Sequence, residues 1–309
     1  MEVKIEEFDI AIRNIVPEKA SLDRIAGGFG FTEGPVWCGD YLLFSDIPRN
    51  RVVRLALRHE GPEVTTYRTP AGNPNGQTLD KSGRLITCEH SGRRVVRTEI
   101  DGAVAVLADK YQGMRLNSPN DVVVRSDGSV YFTDPPYGLG NPPKWKELPF
   151  NGVYRLTTDG TLVLLADDFE RPNGLAFSPD ETILYVNDTE RGHIRAFDVS
   201  AEGSIGNSRV LAELKGSEPG RPDGMKVDWQ GNVYCTGPGG IWIIDSRGKA
   251  LGRVLMPEVP ANIAWGDTDW KTLYITAQTS VYRIRTTVPG VAPPPAGGVV
   301  QGTASLAQK

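Results

Sequence analysis

The chain has 309 residues, 39% of them apolar, and a formal charge of −4 drawn from interspersed acids and bases. That apolar share supplies a real core and excludes a disordered chain, while the absence of a basic stripe argues against nucleic-acid binding. No uninterrupted apolar stretch approaches the roughly 20 residues of a membrane span. Cys38, Cys88 and Cys235 are an odd set without Cys-x-x-Cys spacing, so reduced thiols are expected rather than a disulfide framework or structural zinc.

Taken in chain order, Met1-Glu2-Val3-Lys4-Ile5-Glu6-Glu7 carries acids and no apolar core. As written it does not read as a secretory signal, and a cytoplasmic protein is expected. From Thr32 one short phrase then comes round six times: Thr32-Glu33-Gly34, Pro74-Asn75-Gly76, Pro119-Asn120-Asp121, Pro172-Asn173-Gly174, Pro222-Asp223-Gly224 and Pro260-Ala261-Asn262. Repeats of about 40–55 residues are the signature of a radial array. Each phrase is followed by a turn such as Ser126-Asp127-Gly128, then by an aromatic and β-branched run: Leu42–Ser45, Leu85–Thr87, Val130–Thr133, Leu184–Asn187, Val233–Thr236 and Leu273–Thr276. These runs are too short for helices and read as strands. Third strands follow, each with an Arg (Arg54, Arg97, Arg155, Arg195, Arg283) whose recurrence marks it as scaffold.

The pattern predicts one all-β unit over residues 1–288, a six-bladed β-propeller with a central metal site. Residues 1–25 lack a phrase of their own and are expected to add an outer strand that closes the ring, removing a sheet edge. From Pro289 to Lys309 the Pro, Gly and Ala content predicts a flexible or extended tail.

If the phrases start the innermost strands, their middle residues face the axis. The expected polar ring is Glu33, Asn75, Asn120, Asn173 and Asp223, with Ala261 leaving a gap. The loops after the second strands return to the same face, bringing His90, Tyr137 and Asp188 beside it, and the loop from Asp134 to Asn151 is either a lid or a surface insertion. Two carboxylates and several carboxamides offer hard oxygen ligands, which suit Ca²⁺ first, then Mg²⁺ or Mn²⁺, with Zn²⁺ or Fe²⁺ as further options. Asn after Pro is also an ordinary turn residue, most plainly in Asn73-Pro74-Asn75-Gly76. Glu33 is a poor turn former and Asp223 adds charge where other copies have amide, so two members of the ring point to a functional centre.

Phe31-Thr32-Glu33-Gly34-Pro35-Val36-Trp37, Ser118-Pro119-Asn120-Asp121-Val122 running to Thr133-Asp134-Pro135-Pro136-Tyr137-Gly138, Arg171-Pro172-Asn173-Gly174-Leu175 and Arg221-Pro222-Asp223-Gly224-Met225 together resemble the SMP-30/gluconolactonase/LRE family, and its bacterial gluconolactonase-like branch in particular. The resemblance runs from about Ala26 to Arg285. It implies a divalent metal held by Glu33, Asn173 and Asp223, and a position, Asn120, that touches either substrate or metal. Mammalian members have Arg where this chain has Ser118, so their substrate contacts do not carry over.

The activity implied is metal-dependent opening of a gluconolactone-type sugar lactone to the aldonic acid. Asp223 is the expected catalytic base, with a nucleophile or a pure ligand as its alternative roles. Asn120, Tyr137, Asp188 and His90 are the expected substrate contacts. The expected partner is a small-molecule lactone, with no nucleic acid and no membrane, for a monomer or small homo-oligomer. Competing readings are a phosphotriesterase-like hydrolase on the same centre, a non-catalytic binding platform and, more distantly, a strictosidine-synthase-like propeller. A serine triad is not expected, since no Gly-x-Ser-x-Gly elbow occurs.

Overall fold

A computed structural model describes residues 1–293 and is built almost entirely of strands. Six antiparallel sheets of four or five strands follow one another in chain order, with a two-stranded ribbon, Lys110–Tyr111 with Met114–Arg115, between the second and third. The innermost strands or phrases of blades 1 to 6 begin at Thr32, Pro74, Pro119, Pro172, Pro222 and Pro260, and each blade's inner strand packs against the next, with the sixth returning to the first. The result is the expected six-bladed propeller.

Two N-terminal strands take part in closing the ring. Leu22–Gly27 forms the outer strand of blade 6 by pairing with Ser280–Arg285. An earlier strand, Lys4–Glu7, pairs with Ala250–Leu255 and becomes a fifth strand on blade 5. The N-terminal segment therefore ties two blades together. The expected tail begins as bonded chain: Gly290 donates to Trp270 O at 2.8 Å and Val291 to Val227 O at 3.0 Å. Residues 294–309 lie outside the described residues. No helix among the described residues is long and apolar enough to cross a membrane.

Alternation along the strands buries aromatic side chains between blades, with Tyr131, Tyr154, Tyr234, Tyr274, Phe44 and Phe132 wholly enclosed. The recurrent arginines are scaffold: Arg54 lies over the Tyr41 ring at 4.3 Å and Arg195 over Phe169 at 4.5 Å. Cys88 and Cys235 are buried, and all three cysteines are free.

At the axis the recurring phrase breaks strict strand pairing. Register shifts fall between Glu33 and Val36, Pro74 and Gln77, Pro172 and Leu175, and Pro260 and Asn262. These bulges turn the middle residue toward the axis instead of leaving it on a blade face. Gly34 shows why glycine follows: its φ is +50°, and a Cβ there would stand 2.0 Å from Asn75 O. A hydrogen-bond belt then fixes the ring. Gly76 donates to Asn120 O (2.7 Å), Gly174 to Asp223 O (3.1 Å) and Gly224 to Ala261 O (2.7 Å). From the second strands Ser45 Oγ donates to Asn75 O and Thr133 Oγ1 to Asn173 O. Asn75, Asn120, Asn173 and Asp223 thus have their carbonyls held by a neighbouring blade, which leaves their side chains as the free elements.

Candidate metal centre

Glu33, Asn75, Asn120 and Asn173 are all nearly inaccessible to solvent, and Asp223 is partly exposed. Glu33 Oε2 accepts from Gly34 N–H and, at 3.0 Å, from Asn262 Nδ2. Asn173 Nδ2 donates to Thr189 Oγ1 at 3.0 Å and reaches Tyr137 Oη at 3.5 Å. Its Oδ1 is buried with no hydrogen-bond partner, and so is Asn75 Oδ1. An orphaned buried carbonyl oxygen is costly unless something positive faces it.

The carboxylates make the same demand. Burial, and secondarily the negative charge of Asp121, pushes the Glu33 carboxyl up to about 7. Burial and then the charge of Glu33 push Asp223 well above the ordinary carboxylate range, with the Asn173 side chain opposing. Glu33, Asn173 and Asp223 therefore lie close enough to act on one another. No group of three or more His, Cys, Asp or Glu side chains that could hold a metal ion occurs among the described residues, so a cation here would depend on carboxamide oxygen as well as the two carboxylates. That donor set, hard oxygens with two formal negative charges, fits a divalent ion of the Ca²⁺ or Mg²⁺ kind.

The remaining expected contacts divide. Asn120 is held through its backbone, its N–H on Thr133 O at 2.8 Å. Tyr137 sits partly exposed at the rim, its hydroxyl made harder to ionise (to about 12) chiefly by burial, with Arg171 5.5 Å over its ring. His90 Nε2 lies 2.9 Å from Asn75 Nδ2. Burial lowers its pKa to about 4, so it is a neutral acceptor that orients Asn75.

Asp188 does not reach the ring. It is wholly buried, and its two oxygens accept backbone N–H groups of Glu170, Arg171, Glu190 and Arg191. Asp46 has the corresponding place in blade 1, accepting from Gly30 N–H and Arg51. These acids, at the ends of second strands, pin the loop that leads into the inner strand. Beyond Tyr137 the loop packs outward as an insertion: Leu148 is buried between blades 2 and 3, Phe150 meets Tyr111 edge to face, and Trp145 is exposed.

Three polar residues of the centre escaped the sequence reading. Asp121 and Asn262 lie directly below the ring, and Lys226 Nζ stands 4.0 Å from Asp121 Oδ2. Their signal was present, since Asp121 and Asn262 occupy the phrase's third position, which is Gly in the other four copies. A separate cavity of about 470 Å³ opens at the opposite mouth of the channel, lined by Trp37, Phe177, Trp229 and Trp265. The convergent carboxylates and orphaned oxygens are at the ring, and the chemistry is assigned there.

Fold and centre together define a propeller whose axis carries a ring of hard-oxygen donors. Residues 31–279 match the SMP-30/Gluconolactonase/LRE-like region, and the chain belongs to that family. It is 36% identical over 311 residues to a gluconolactonase of Zymomonas mobilis, covering 92% of this chain and 86% of that one. It is 29% identical over 255 residues to a pentonolactonase of Haloferax volcanii, with 79% of this chain and 80% of the other covered. The structure of a gluconolactonase from Xanthomonas campestris superposes with a TM-score of 0.83 at 34% identity, over 91% of this chain and 94% of that one.

Proposed function

We propose that this protein is a metal-dependent lactonase that opens a sugar lactone of the gluconolactone type to its aldonic acid. The observation that carries the reading is the convergence of Glu33, Asn173 and Asp223 at the axis, with Asn173 Oδ1 buried and unpartnered. Membership of a family with gluconolactonase and pentonolactonase relatives supports the substrate class.

Glu33, Asn173 and Asp223 would hold one divalent cation, with Ca²⁺ the best match to the donor set. When bound, the cation supplies Lewis-acid polarisation of the lactone carbonyl and stabilises the negative charge that develops on its oxygen. The chain's own residues do the rest. Asp223 accepts a proton from the water that adds to the carbonyl carbon. As the ring C–O bond breaks, that proton passes to the departing ring oxygen, giving the free hydroxyl of the aldonic acid. Asn120 and the hydroxyl of Tyr137 would bind sugar hydroxyls, and Asp188 is not assigned to substrate.

The test is hydrolysis of six- and five-carbon aldonolactones by chelated protein, with Ca²⁺, Mg²⁺, Mn²⁺ or Zn²⁺ added singly and an organophosphate panel alongside. The expected result is turnover of a lactone that chelation removes and a divalent ion restores. Activity confined to phosphotriesters would replace the substrate class. No turnover of any lactone with any ion would leave a binding platform.

A further inference from the structure

Asp121, Asn262 and Lys226 form a second polar layer, one residue further along the inner strands than the ring, which the proposed reaction does not use. Asp121 and Asn262 are almost wholly buried. Neighbouring glycines make room for them: a Cβ on Gly76 would come within 2.5 Å of Asp121 Oδ1, and one on Gly224 within 2.1 Å of the Asn262 carboxamide. Asp121 Oδ1 accepts from Val122 N–H at 2.9 Å, while Asn262 Nδ2 reaches its Oδ2 at 3.4 Å. The same Nδ2 donates to Glu33 Oε2 at 3.0 Å. Lys226, whose side chain is 21% exposed, makes the one ion pair of Asp121 among the described residues, at 4.0 Å, and donates to Met225 O.

The charge balance gives this layer a role. Glu33, Asp121 and Asp223 bring three negative charges to one enclosed place. A divalent cation offsets two of them and the Lys226 ammonium offsets the third. Unbalanced charge in such surroundings is strongly disfavoured. We infer that Lys226 is a positioning residue that sets the valence of the cation taken by the ring. By neutralising Asp121 it allows that carboxylate to hold Asn262, and through it Glu33, without adding a charge that a trivalent ion would be needed to balance. The inference rests on the metal centre proposed above.

Valence preference is measurable without turnover. Tb³⁺ and Ca²⁺ compete for the full-length protein, with Trp-sensitised Tb³⁺ emission and thermal melts as readouts. Lys226→Met should raise the preference for Tb³⁺ over Ca²⁺ by about tenfold or more, since one positive charge near the ring weighs more against a trivalent than a divalent ion. Lys226→Arg should keep the wild-type preference, and Asp121→Asn should lower it. In the double variant Asp121→Asn/Lys226→Met, where both opposite charges are gone, the preference should return toward wild type. Asp121→Asn, nearly isosteric, carries the comparison if Lys226→Met does not fold. An unchanged Tb³⁺/Ca²⁺ preference in the folded single variants overturns the role of Lys226 and leaves the metal centre standing. Failure of wild type to bind or be stabilised by either ion removes the centre and this inference together.

Discussion

Glu33→Gln should stabilise the cation-free protein at alkaline pH while abolishing most of its stabilisation by metal. Glu33 is 2% exposed, and its carboxyl is pushed from an ordinary 4.5 up to about 7 by burial and by the charge of Asp121. A carboxyl raised in the folded state contributes stability that is fully present below its unfolded pKa and is lost as pH rises through its folded pKa. With no cation bound, the contribution is thus complete below pH 4.5 and gone above about 7. At 1.36 kcal/mol per pH unit this amounts to about 3 kcal/mol, the strain of forcing an unpaired carboxylate to ionise beside two others. The Gln carboxamide can keep its oxygen on Gly34 N–H and Asn262 Nδ2 and turn its NH₂ toward Asp223, and it never ionises. In chelator at pH 8 the variant should therefore be the more stable protein by up to about 3 kcal/mol, worth several degrees in Tm, and at pH 4.5 the two should match. In excess Ca²⁺ the order should invert, because wild type gains RT ln(1 + [L]/Kd) and the variant, lacking one charged ligand, gains far less. Denaturant titrations at both pH values, in chelator and in Ca²⁺, measure all four quantities. A chelated Glu33→Gln protein less stable than chelated wild type at pH 8 would refute the reasoning, since Glu33 would then be a satisfied structural carboxylate.

Asp223→Asn keeps an oxygen for the cation but removes the base. Raising the metal concentration should restore occupancy while turnover stays depressed by about 10²–10⁴-fold; Glu33→Gln should recover much of its rate in the same titration, and equal recovery would move the proton to another carrier. Asp188→Asn should cost about 1.5–3 kcal/mol of stability in denaturant titrations, since a buried carboxylate accepting four backbone N–H groups loses its charge-assisted bonds. Its KM and metal affinity should not change, and a raised KM at unchanged stability would return Asp188 to the substrate.

The sixfold phrase, the strand runs and the turns between them are local features, and they suffice for the architecture because every blade repeats them. Period and turn chemistry also establish that Glu33, Asn75, Asn120, Asn173 and Asp223 face one axis, since equivalent positions in a radial array point the same way. What a side chain meets there is another matter, because its partners come from other blades. Glu33 is held by Asn262 from the adjacent blade 6, 229 positions away in the chain. Asp188 follows the phrase-facing strand just as the ring pattern requires, yet its oxygens are consumed by backbone N–H groups of its own loops. His90 is neutral because burial strips its solvation and Asn75 donates to it. Beyond Tyr137 the long loop turns outward because Leu148 and Phe150 find apolar cover between blades 2 and 3. Periodicity therefore determined which residues approach the axis. Only the packed structure decided which of them keep a free oxygen to offer there, because that depends on which neighbouring donors have already satisfied them.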